Sequence, residues 1–81
     1  MSVHARVLEV IARVSREDEV LRNPDVRLYE TGLIDSFGTV ELMLALEQEF
    51  GTEFSPSEFE PEAWATPNLI AALVAERLNG R

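Results

Sequence analysis

Cysteine and lysine are absent from this chain of 81 residues, and histidine, tyrosine and tryptophan each occur once. Without cysteine there is no disulfide staple, no thiolate catalysis and no cysteine-ligated zinc. The lone His4, beside the N-terminus, does not assemble a metal site, and no metal is expected. Any thiol the protein works with must therefore come from a cofactor. No apolar run approaches the length of a membrane span. The start, Met1-Ser2-Val3-His4-Ala5-Arg6, lacks the apolar core of a signal peptide. We therefore expect a cytoplasmic protein that is not membrane-embedded.

Basic charge is scarce and confined. The net charge is −8, yet residues 1–27 are neutral, with five arginines against Glu9, Glu17, Asp18, Glu19 and Asp25. No basic residue occurs between Leu28 and Glu76. Such a surface repels nucleic acid, which is excluded as a partner, and steers toward it a partner with a basic patch. Composition alone favours the plainer reading, an acid excess that keeps a small protein soluble.

The length suits one domain, 1–81, which buries only about 60% of its unfolded surface. Strand-like alternation is absent. Val3, Val7, Leu8, Ile11 and Val14 form one stripe of a first helix of roughly four turns, with Ser2 as its N-cap. A long link follows, punctuated by Asn23-Pro24-Asp25; its Val26, Leu28, Leu33 and Ile34 are expected to pack on the core. A second helix runs from about Ser36 to Phe50 and stops at Gly51. Ser55-Pro56-Ser57-Glu58 reads as a capping box opening a short third helix, with Glu58 reaching back to Ser55. Thr66-Pro67 opens a fourth, with Leu69, Ile70, Leu73, Val74 and Leu78 on one face and Asn79-Gly80 at its end. The expected fold is all-α: three main helices, one short helix and a long first loop. Trp64 reads as a core plug for the short helix.

The helix from Ser36 to Phe50 has two apolar faces. Leu42, Met43, Leu46 and Phe50 share the natural core sector. Phe37, Val40 and Leu44 share another, on the side of Ser36, lined by Glu41, Glu47 and Gln48. Either residues 16–35 fold over this second stripe, or it stays exposed for a partner that is basic with an apolar centre. Ser36 stands where link meets helix, a place that favours a phosphate ester through helix-terminal amides. Serine and aspartate there are equally ordinary helix caps. Gly32 permits a left-handed turn upstream. A serine nucleophile would need a base, and the only histidine is His4.

Gly32-Leu33-Ile34-Asp35-Ser36-Phe37, followed by Val40-Glu41-Leu42, resembles the attachment motif of the acyl carrier protein family. The helix order agrees with that four-helix fold over nearly the whole chain. A closer resemblance is to the D-alanyl carrier group, through Phe37, through Asn23-Pro24-Asp25, and through Phe59 followed by Trp64-Ala65-Thr66-Pro67-Asn68. The resemblance implies a non-catalytic monomeric carrier with 4′-phosphopantetheine on Ser36, beside Asp35 of the same motif. It implies as partners a phosphopantetheinyl transferase, an adenylating ligase, and a downstream acyltransferase or synthase. Phe37, Val40, Glu41, Leu44 and Glu47 fall where family members meet those enzymes. The implied cargo is an aminoacyl thioester, D-alanyl or another. A fatty or polyketide acyl cargo, and a cofactor-free acidic adaptor, are the alternatives.

Overall fold

A computed structural model describes residues 2–79. Among them every regular element is helical: α1 (Val3–Ser15), α2 (Glu19–Arg22), α3 (Ser36–Phe50), a single 3₁₀ turn (Pro56–Glu58) and α4 (Pro67–Asn79). The expected helical bundle is thus present. The expected stop at Asn79-Gly80 lies partly outside the described residues.

Helix α1 begins as anticipated, with the Ser2 hydroxyl accepting from the Ala5 amide at 3.1 Å. It packs against α2, α3 and α4, burying Val7, Leu8, Val10 and Ile11. Val10 was not part of the anticipated stripe. The first link is not a plain loop: α2 occupies one turn of it and buries Val20. Beyond α2, Val26, Leu28 and Ile34 are buried and Leu33 packs on the core, as expected. Backbone bonds hold the link in place. The Leu28 amide donates to the Ala65 carbonyl at 2.9 Å, and the Asn68 amide to the Pro24 carbonyl at 2.9 Å.

The third element differs from expectation. It is one 3₁₀ turn, in which Ser55 Oγ accepts from the Ser57 amide at 3.3 Å. Glu58 does not reach back; its carboxylate pairs with Arg77 of α4. A basic partner across the fold wins over a local amide because the ion pair and hydrogen bond combine there. Arg77 also lies over the Phe54 ring, 5.0 Å from its centroid. Trp64 is the anticipated plug, 2% exposed and edge-on to Phe54 at 5.8 Å. Helix α4 is capped by Thr66, whose Oγ1 accepts from the Leu69 amide at 3.2 Å. Its buried face is Pro67, Ile70, Ala71 and Val74. Leu69, expected on that face, is 43% exposed, because the buried stripe runs through Pro67, Ile70, Ala71 and Val74 at helical spacing and Leu69 falls off it.

Candidate functional site

The site is built where the first link meets α3. Gly32 takes φ +78°, the left-handed turn anticipated for it. Asp35 then caps α3: its Oδ1 accepts from the Gly38 amide at 2.7 Å. This corrects the alternative reading of Ser36 as a cap. Ser36 is the first helical residue, and its side chain is left exposed. Gly38 leaves room for the cap. A Cβ there would lie 3.2 Å from Ile34 Cγ2 and 3.3 Å from Asp35 Oδ1.

A second tie fixes the same turn. Thr39 Oγ1 donates to the Asp35 carbonyl at 3.0 Å. Its single proton is thereby used, so the Tyr29 hydroxyl, 2.8 Å away, donates to Thr39. Burial pushes the Tyr29 hydroxyl above its ordinary 10.0; the Thr39 hydroxyl, which can rotate toward a phenolate, offsets part of this. Local spacing does not encode these contacts, because the irregular stretch of residues 30–35 separates Tyr29 from the helix that carries Thr39.

Beside Ser36 lies an apolar groove of about 330 Å³. Its walls are Ser36, Val40 and Met43 of α3 on one side and Pro56, Phe59 and Pro61 on the other, with Tyr29 and Thr39 completing them. None of these side chains is a base that could activate the serine.

The link does not fold over the second stripe. Phe37 is 72%, Leu44 54% and Val40 42% exposed, and Glu41 is exposed beside them. The opposite face buries Thr39, Leu42, Met43 and Leu46. Phe50, expected on the core face, packs against the core and is half-buried, with the Arg6 guanidinium over its ring, 4.6 Å from the centroid. Glu47 is also half-buried, and its Oε2 accepts from the Phe54 amide at 2.8 Å, bracing the exit from α3.

A phosphate ester fits these residues. Asp35 occupies the amides of Gly38 and Thr39. The amides of Ser36 and Phe37 have no intrahelical carbonyl and are the donors a phosphate would meet. No helix of the described residues is long and apolar enough to cross a membrane.

Fold and site together define a small helical carrier: one exposed hydroxyl at a helix start, flanked by an open apolar face and a groove. The family of phosphopantetheine attachment site domains matches residues 5–74, and the chain belongs to it. It is similar to the D-alanyl carrier protein of Bacillus velezensis, 46% identical over 94% of this chain and 97% of that protein. The D-alanyl carrier protein of Bacillus subtilis is 45% identical over the same shares. That of Lacticaseibacillus rhamnosus is 46% identical over 86% of each chain.

Proposed function

We infer that Ser36 is the attachment point of 4′-phosphopantetheine, and that the arm carries an aminoacyl group, D-alanyl first among them, as a thioester. The observation carrying this reading is the division of labour at the start of α3. Asp35 does the capping, which frees the adjoining Ser36 hydroxyl and leaves it exposed on the open face. The names of the relatives support the cargo.

The arm supplies the thiol that the chain itself lacks. A phosphopantetheinyl transferase forms the Ser36 Oγ–phosphorus bond as the bond to the adenosine bisphosphate half of coenzyme A breaks; the serine proton passes to a base on the transferase. An adenylating ligase then loads the thiol, and a downstream acyltransferase or synthase unloads it. The chain contributes placement. The Asp35 cap and the Tyr29–Thr39 pair hold the turn, and the helix-terminal amides would be the donors for the phosphate. Phe37, Val40, Glu41, Leu44 and Glu47 form the docking face. The protein itself is non-catalytic, monomeric and cytoplasmic in this reading.

Intact mass after incubation with coenzyme A and a transferase tests the attachment. Wild type gains one phosphopantetheine, and Ser36→Ala gains none. Equal gain by both, or no gain by wild type, rejects it. Loading of the modified protein by an adenylating ligase supplied with D-alanine tests the cargo. Acceptance of malonyl groups with no amino acid would reject it.

A further inference from the structure

The arginines among the described residues divide into two groups. Arg6, Arg22, Arg27 and Arg77 pair with Glu49, Glu19, Glu30 and Glu58. Arg13 and Arg16, both exposed, form no ion pair among the described residues. They lie together at the C-terminal end of α1 and share a cleft of about 320 Å³ with Val14 and Glu41. Glu41 belongs to the open face of α3, so the two arginines prolong that face across onto α1.

Arg16 carries a second oddity. It ends α1 in the left-handed conformation, φ 62° and ψ 30°. Gly51 ends α3 in nearly the same conformation, φ 69° and ψ 22°. Glycine takes that conformation without steric penalty, whereas an arginine side chain does not. A cation near a helix C-terminus is favourable, which accounts for Arg13 within the last turn. It does not require the strained position. Backbone strain kept where a cheaper residue serves points to a use for the side chain.

We propose that Arg13 and Arg16 are a partner-recognition site for a carboxylate of the ligase that loads the arm. The docking face is therefore two-signed. The ligase sets a basic group against Glu41 and an acidic one against Arg13 and Arg16, within the cleft that the three residues share. Such alternation fixes register and rejects partners of uniform charge, which an all-acidic face cannot do. A lipid surface fits less well, because a net charge of −8 opposes anionic headgroups and two arginines are a small counterweight. This site rests on the carrier reading above.

The test uses holo-protein made with coenzyme A and confirmed by mass, and a D-alanine-adenylating ligase. Loading is measured for wild type, Arg13→Glu/Arg16→Glu and Arg16→Gly at low and high salt. The double reversal should lower kcat/KM by roughly tenfold at low salt, with the gap narrowing at high salt. Against a purely basic partner the same reversal would raise kcat/KM, so the sign decides. Arg16→Gly should melt at a higher temperature yet load a few-fold more slowly, which a merely structural arginine would not do. Wild type left unmodified by the transferase, or unloaded once modified, sinks the carrier or cargo reading and this site with it. Full modification with double-variant loading equal to or faster than wild type overturns the site alone. So does binding to phosphatidylglycerol vesicles that the double variant loses while loading is unchanged.

Discussion

The Tyr29 hydroxyl donates to Thr39 at 2.8 Å, and Thr39 in turn donates to the carbonyl of Asp35. One hydrogen-bonded chain thus joins the first link to the turn that presents Ser36. Tyr29→Phe removes the first bond and should destabilise the fold by about 1 kcal/mol in urea titration. An unchanged midpoint would show the chain to be incidental.

The same residue sets the alkaline limit. With no lysine and no cysteine, Tyr29 is the side chain that titrates near pH 10. Its folded value is raised, so the folded state holds the proton more tightly than the unfolded state. The resulting stabilisation is complete below about pH 10, the unfolded value, and is lost as pH rises through the folded one. Unfolding free energy measured from pH 8 to 11 should decline in wild type and much less in Tyr29→Phe. Parallel curves would disprove the assignment.

Asp35→Ala should cost about 1 kcal/mol through the lost cap, while Ser36→Ala should stay within roughly 0.5 kcal/mol of wild type. Thermal melts of the two variants check this. The reverse order would return the capping role to Ser36.

Gly38→Ala normally gains about 1 kcal/mol in a helix. Here the new methyl presses on buried Ile34 and on the Asp35 carboxylate at 3.2 and 3.3 Å. A net loss is expected. A higher melting temperature would mean that both neighbours yield freely.

Leu46→Ala should destabilise by roughly 2–5 kcal/mol, because Leu46 is fully buried. Leu44→Ala should cost little stability. Glu41→Arg should leave stability unchanged and slow ligase association at low salt. Loading kinetics unaffected by both Leu44→Ala and Glu41→Arg would mean that the exposed stripe is not a docking face.

The main helices were legible because each has a full stripe of apolar residues and a recognisable start or stop, such as Ser2, Gly51 or Thr66-Pro67. Helix α2 was not, because Glu19–Arg22 is a single turn with no period to detect and one buried anchor, Val20. The Ser55–Glu58 pattern misled because Glu58 has Arg77 within reach, a contact nineteen residues away that no local pattern encodes. Ser36 stands out as a candidate from its neighbours in sequence, Asp35 and Phe37. Its release from capping, the groove beside it and the Tyr29–Thr39 tie depend on where the link lies, and local spacing does not specify that.

Trp64 is sealed from water and stands 6.1 Å, ring to ring, from Phe59, which walls the groove beside Ser36. It is also the one indole in the chain. Anything that settles into the groove and shifts Phe59 therefore changes the packing around a single emitter. For the arm proposed on Ser36, tryptophan emission is thus a label-free readout: an emission change on modification would mean that the arm rests in the groove, and an unchanged spectrum that it stays clear of Phe59.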